Sequence, residues 1–110
     1  MQKTDEKNTE IQKEIDKINE DALKAANFDV QLAKELLEKA NSLSKEISYK
    51  KGLARNLYIY GYFYLRTSKY DNAKTSTDEA ISIYENLGDK TGVGHCYNNY
   101  GGVYLYKSGF

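Results

Sequence analysis

His95 and Cys96 are the neighbours with the most obvious chemistry in this 110-residue chain. An imidazole beside a thiol suggests an activated nucleophile, or two ligands for a soft metal. The spacing argues against both. Adjacent side chains on a helix do not face each other, and the chain has one His and one Cys, so a zinc site would need carboxylates from elsewhere. Cys96 therefore reads as a small packing residue and His95 as a surface or groove residue. Asp78 and Glu79 lie on a polar helix face, where carboxylates are solvated. Gly101-Gly102 lacks the preceding strand that a phosphate-binding loop requires. No catalytic residue, metal or cofactor is expected, and the chain does not read as an enzyme.

Binding chemistry is better represented. There are 11 Tyr against 3 Phe and no Trp, and a tyrosine joins an apolar ring to one hydrogen-bonding tip. Tyr58, Tyr62 and Tyr106 are candidate anchors. Stacking on nucleobases would use the same rings, but charged residues make up 29 % and cancel to a net charge of +0. That balance argues against nucleic acid and anionic membrane partners. No apolar run is long enough to span a bilayer. The start of the chain lacks the apolar core of a signal peptide, so a cytoplasmic location is expected, or a periplasmic one if a leader has been removed. A single Cys excludes an internal disulfide.

The elements that position these residues show a fixed period. Gly52, Tyr60, Gly61 and Tyr64 return forty residues later as Gly92, Tyr100, Gly101 and Tyr104, and Leu65/Leu105 and Ser68/Ser108 keep that step. Such a period marks a stacked-repeat protein. Apolar spacing predicts five helices. The first covers residues 8–27, with the stripe Ile11, Ile15, Ile18, Ala22 and Ala25. The second is capped by Asp29 and buries Leu32, Ala33, Leu36, Leu37, Ala40 and Leu43, closing at Ile47. The third covers 51–67, with Leu53/Ala54, Leu57, Tyr60/Gly61 and Tyr64/Leu65 inward. The fourth covers 70–87, with Ala73, Thr77, Ala80, Ile81 and Tyr84 inward and Gly88 as its left-handed stop. The fifth, capped by Asp89, covers 90–107 and carries Val93, Tyr97, Tyr100, Gly101 and Tyr104. Glu20/Lys24 and Glu35/Lys39 have the spacing of i,i+4 ion pairs. Alternating Tyr at 58, 60, 62 and 64 imitates a strand, but only the helically spaced members recur. Short turns make an all-α array of antiparallel hairpins. The recurring Gly61 and Gly101 should mark close helix contacts, because glycine inside a helix otherwise costs about 1 kcal/mol.

Residues 29–110 resemble the tetratricopeptide repeat. The stretch from Leu57 to Tyr64, the turn with Tyr70 and Ala73, and Ala80-Ile81 are similar to that motif. Residues 52–91 would form one complete copy, and Tyr97 to Tyr104 would open the next. The turn glycine is replaced by Ser68, and Ile59 stands where Asn is common, while Asn99 keeps it. Residues 1–28 do not fit and would be a cap or a diverged half-repeat. The resemblance implies a right-handed superhelix whose groove binds a protein or peptide segment. Arg55, Tyr58, Tyr62 and Arg66 from one helix and His95, Asn98, Asn99, Gly102 and Tyr106 from the next would line it. Asn99 would bond the ligand backbone, and the two arginines would bind a ligand carboxylate. Such longer repeats occur in the sensory or scaffolding parts of larger bacterial regulators. The alternative is a self-association module. The fifth helix lacks a following partner, which predicts a fragment of a longer array or a homo-oligomer joined through that helix.

Overall fold

The computed structural model describes residues 2–107, with side chains from residue 5 onward. Ser108 and Phe110 of the forty-residue pattern lie outside the described residues. Five helices account for the described regular structure: α1 (Gln2–Ala25), α2 (Val30–Glu46), α3 (Lys50–Arg66), α4 (Tyr70–Leu87) and α5 (Lys90–Lys107). α1 begins earlier than the apolar stripe predicts. Its first turns are rich in Lys and Glu, good helix formers that need no buried face, and Thr9 Oγ1 donates to the Asp5 carbonyl at 2.9 Å.

The last three turns are built alike. The Tyr49, Lys69 and Asp89 amides donate to the Ser44, Tyr64 and Tyr84 carbonyls, and the Ser48, Ser68 and Gly88 amides donate to the Lys45, Leu65 and Glu85 carbonyls. This paired pattern satisfies the orphan carbonyls of a helix end and requires a left-handed residue between them. That residue falls every twenty positions: Ser48 at φ 56°, Ser68 at φ 60° and Gly88 at φ 71°. Serine there carries a steric penalty that glycine avoids. Ser48→Gly and Ser68→Gly are each expected to stabilise the fold by about 0.5–1 kcal/mol, read as a higher urea midpoint. The first turn is different: Asp29 ends it and caps α2, accepting from the Leu32 amide at 3.1 Å.

With turns this short, consecutive helices run antiparallel. α1 packs on α2 and α3, and α3 packs on α2, α4 and α5. α1 thus stands to the hairpin α1/α2 as α3 stands to α3/α4, and α1, α3 and α5 lie side by side in one direction. The molecule is an elongated slab of 54 × 31 × 17 Å. Small residues sit at the helix crossings: Ala33 and Ala73, and forty residues apart again Ala40 and Ala80, are all at 0 % exposure. Leu37 and Ile59 pack with Ala22, Ala25, Ala33 and Phe63 in one core cluster. Leu32 proves exposed. On α3 the innermost side chains are Ala54, Asn56, Ile59 and Phe63. The tyrosines of that helix lie half-buried on its flanks.

The two repeated helix glycines part company. A Cβ on Gly61 would come within 2.4 Å of Thr77 Oγ1 and 2.6 Å of Asn99 Nδ2, so α4 and α5 both close on the backbone there. A Cβ on Gly101 would meet nothing within 4 Å. Gly101 occupies the same register, but the face it marks on α5 has no helix of the described residues against it.

Candidate functional site

Three i,i+4 pairs on the three parallel helices define a cleft. Asp16 and Glu20 stand on α1, Lys51 and Arg55 on α3, and Thr91 and His95 on α5. A spacing of four puts each pair on one helix face, and the second and third pairs are forty residues apart. With Tyr84, Gly92 and Asp89 they enclose about 520 Å³ open to solvent. The Tyr84 ring lies on the Gly92 backbone so closely that a Cβ there would be 2.3 Å from it. Glycine at 92 is therefore needed for the ring to close that end of the cleft.

The carboxylates of the cleft are already engaged. Glu20 Oε1 accepts from Arg55 Nε at 3.1 Å and Nη2 at 2.9 Å. Asp16 accepts from the Tyr49 hydroxyl at 3.0 Å, and Asp89 Oδ1 accepts from the Gly92 amide at 2.9 Å. The Arg55 guanidinium also lies 5.2 Å from the centre of the Tyr58 ring, and Tyr58 contacts the His95 ring at 5.9 Å. Lys51, Thr91 and His95 form no hydrogen bond or ion pair among the described residues. The cleft thus keeps open donors on Lys51, Thr91 and His95 and open acceptors on Glu20 Oε2 and Asp89 Oδ2.

Several tyrosines resist ionisation. Burial first, then the hydrogen bond to Asp16, pushes the Tyr49 hydroxyl from 10.0 up to about 12. Burial does the same at Tyr60, also to about 12, with Glu38 adding to it. Between these values the unfolded chain releases protons that the folded chain keeps, so stability falls as pH rises. The fold is expected to hold its denaturant midpoint up to about pH 10 and lose it progressively towards pH 12. Tyr49→Phe should flatten part of that slope. Burial likewise raises the Cys96 thiol to about 11, which keeps it protonated and unreactive at neutral pH.

No protein-family model, curated protein or solved structure matches the chain significantly. The tetratricopeptide resemblance therefore stands on the residues quoted for it. Among the described residues no group of three His, Cys, Asp or Glu is placed to hold a metal ion, and no helix is long and apolar enough to cross a membrane.

Of the nine residues the sequence nominates, Arg55 and His95 line the cleft, with Tyr58 between them. The Tyr62 hydroxyl donates to Asn27 in the first turn. Arg66 is exposed, about 16 Å along α3 from Arg55, so the two do not form one carboxylate clamp. Asn98 is exposed. Asn99 differs from expectation: it is 2 % exposed, and its Nδ2 donates to the Tyr58 carbonyl at 2.9 Å and to Thr77 Oγ1 at 3.3 Å. It joins α5 to α3 and α4 and offers no groove contact, because the close approach at Gly61 draws the amide inward. Gly102 sits where α5 meets Leu65, 2.9 Å from a Cβ placed on it. Tyr106 stacks on Tyr70 at 5.9 Å. The expected Glu20–Lys24 pair is replaced by Glu20–Arg55, and Lys39 reaches Glu14 at 3.8 Å instead of Glu35.

Sequence reasoning missed Asp16, Glu20, Lys51 and Thr91, which look like ordinary surface positions until three helices are set side by side. It also missed a buried amide network. Asn56, at 0 % exposure, donates to the Leu37 carbonyl at 3.0 Å and Asn19 Oδ1 at 3.2 Å, and accepts from Asn41 at 2.9 Å. Asn19 in turn donates to the Gly52 carbonyl at 3.1 Å. This network ties α1, α2 and α3 together below the cleft.

Proposed function

We propose that this chain is a non-catalytic binding module of tetratricopeptide type that holds an extended protein or peptide segment in the cleft between α1, α3 and α5. The observation that carries the reading is the cleft itself, where Lys51, Thr91 and His95 present open donors beside the Arg55–Glu20 pair. A segment that brings backbone carbonyls and an acidic side chain, or a chain-terminal carboxylate, satisfies those donors. Tyr58, packed between Arg55 and His95, adds an apolar surface for a neighbouring side chain. The buried, protonated thiol of Cys96 and the position of His95 against a tyrosine ring both favour binding over nucleophilic chemistry. By resemblance the module would be the sensory or scaffolding part of a larger bacterial regulator.

Selection from a random peptide library tests the proposal. Enriched peptides should carry Asp, Glu or a free C-terminus. Lys51→Glu and His95→Ala should each weaken the best of them about tenfold or more, the loss of roughly one charge-assisted hydrogen bond. Circular dichroism should be unchanged, since both residues are solvent-facing. Failure to enrich any peptide, or enrichment indifferent to both substitutions, would remove this reading.

A further inference from the structure

The side of α5 turned away from the core has an ordered composition. From Thr91 to Tyr106 there is no Asp, Glu, Lys or Arg, in a chain that is 29 % charged. On the open side Gly94, Tyr97, Gly101 and Tyr104 follow each other at steps of three, four and three, the spacing of a helix–helix seam. Tyr97 is 61 % exposed and Tyr104 70 %. A Cβ at Gly94 or Gly101 would meet nothing within 4 Å. Forty residues earlier the same register holds Ala54, Leu57, Gly61 and Tyr64. There the fold covers it: Ala54 and Gly61 are buried, Leu57 and Tyr64 half-buried. The face left open on α5 is therefore one that this fold uses for helix packing.

We infer that α5 docks antiparallel on α5 of a second copy of this chain, about a two-fold axis level with Asn99. That register places Tyr97 over the partner's Gly101 and Tyr104 over the partner's Gly94, and the symmetry repeats both contacts. Every layer then matches one ring with one gap. A parallel pairing would set ring on ring and gap on gap. A two-fold contact requires a patch complementary to itself, and the alternation of large and absent side chains supplies it. The four seam residues carry no charge themselves, with Lys74 of α4 near Tyr104 at the edge, and tyrosine-rich, charge-poor surface is the composition of interface centres. The cleft lies on another side of α5, through His95, so this contact and the proposed peptide site are independent.

Light scattering after size exclusion, across a range of concentrations, tests the inference. The wild-type chain should form a dimer. Gly101→Asp and Tyr97→Lys should each weaken it about tenfold or more, with unchanged circular dichroism because both positions are open in the single copy. Mixing the two variants should restore dimers, since the new ammonium at 97 then faces the new carboxylate at 101 in one layer while the other layer keeps its native pair. The inference is overturned by a wild-type chain that stays monomeric up to about 1 mM, by a dimer that tolerates both substitutions, or by a mixture no tighter than either variant alone.

Discussion

Asn56→Ala is expected to destabilise the fold by about 2–5 kcal/mol, more than its small size suggests. The deletion opens little space. Its cost comes from what remains: Asn19 Oδ1 and the Leu37 carbonyl lose a donor, and Asn41 loses an acceptor. Each buried group left unpaired costs about 1–3 kcal/mol. Since the network links α1 to α2 and α3, α1 should be the element that loosens first, seen as faster amide exchange there. Asn19→Ala removes one partner in advance. The double variant should then cost less than the sum of the two singles by about 1 kcal/mol or more. Strict additivity in urea titrations would show that the amides act separately.

Glycine-to-alanine substitution should have opposite signs at two positions forty residues apart. At Gly61 the methyl group runs into Thr77 Oγ1 and Asn99 Nδ2. Neither atom is free to yield, because Thr77 donates to the Ala73 carbonyl at 2.7 Å and Asn99 to the Tyr58 carbonyl at 2.9 Å. Overpacking of this kind costs about 1–3 kcal/mol. At Gly101 the methyl group enters open space and only the backbone term remains, a gain of about 0.5–1 kcal/mol. The comparison should be made by thermal or urea unfolding in dilute solution, so that contacts between copies do not enter. A loss of stability at both positions would mean that α5 is covered on its Gly101 side within a single chain.

These two glycines also show how much of the fold can be read from the chain. Local signals placed the elements well. Asp89 caps α5 where expected, Gly88 takes the left-handed stop after α4, and the Ala33/Ala73 and Ala40/Ala80 pairs lie at helix crossings. Each of those depends on neighbours a few residues away or on a repeated register. Gly61 and Gly101 have identical local signals and still differ, because what covers a helix face is a matter of the next element along the stack. The amides failed for a related reason. Asn19 and Asn56 lie beside the apolar stripes of their helices, and their partners are 33 and 37 residues away. Asn99 carried the strongest resemblance to a ligand-binding position, but its surroundings at the crossing of α3, α4 and α5 turned its amide inward. In the cleft, Arg55 and His95 were nominated through the family resemblance alone, and they stand forty residues apart in the repeated register. Asp16 and Glu20 were not, since α1 shows too few of the repeated residue types to be aligned with α3. Side-by-side packing alone reveals that α1 completes the cleft.

The claim on which this account turns is that the faces of α1, α3 and α5 around Lys51 and His95 form one working surface. Amide chemical-shift mapping of the labelled chain, titrated with the tightest peptide from the library selection, tests it most directly. The expected result is a continuous set of shifts through Asp16, Glu20, Lys51, Arg55, Thr91 and His95, with α2 and the outer side of α4 unaffected. Shifts centred on the outer faces of α2 and α4 instead, or scattered without regard to the cleft, would contradict it.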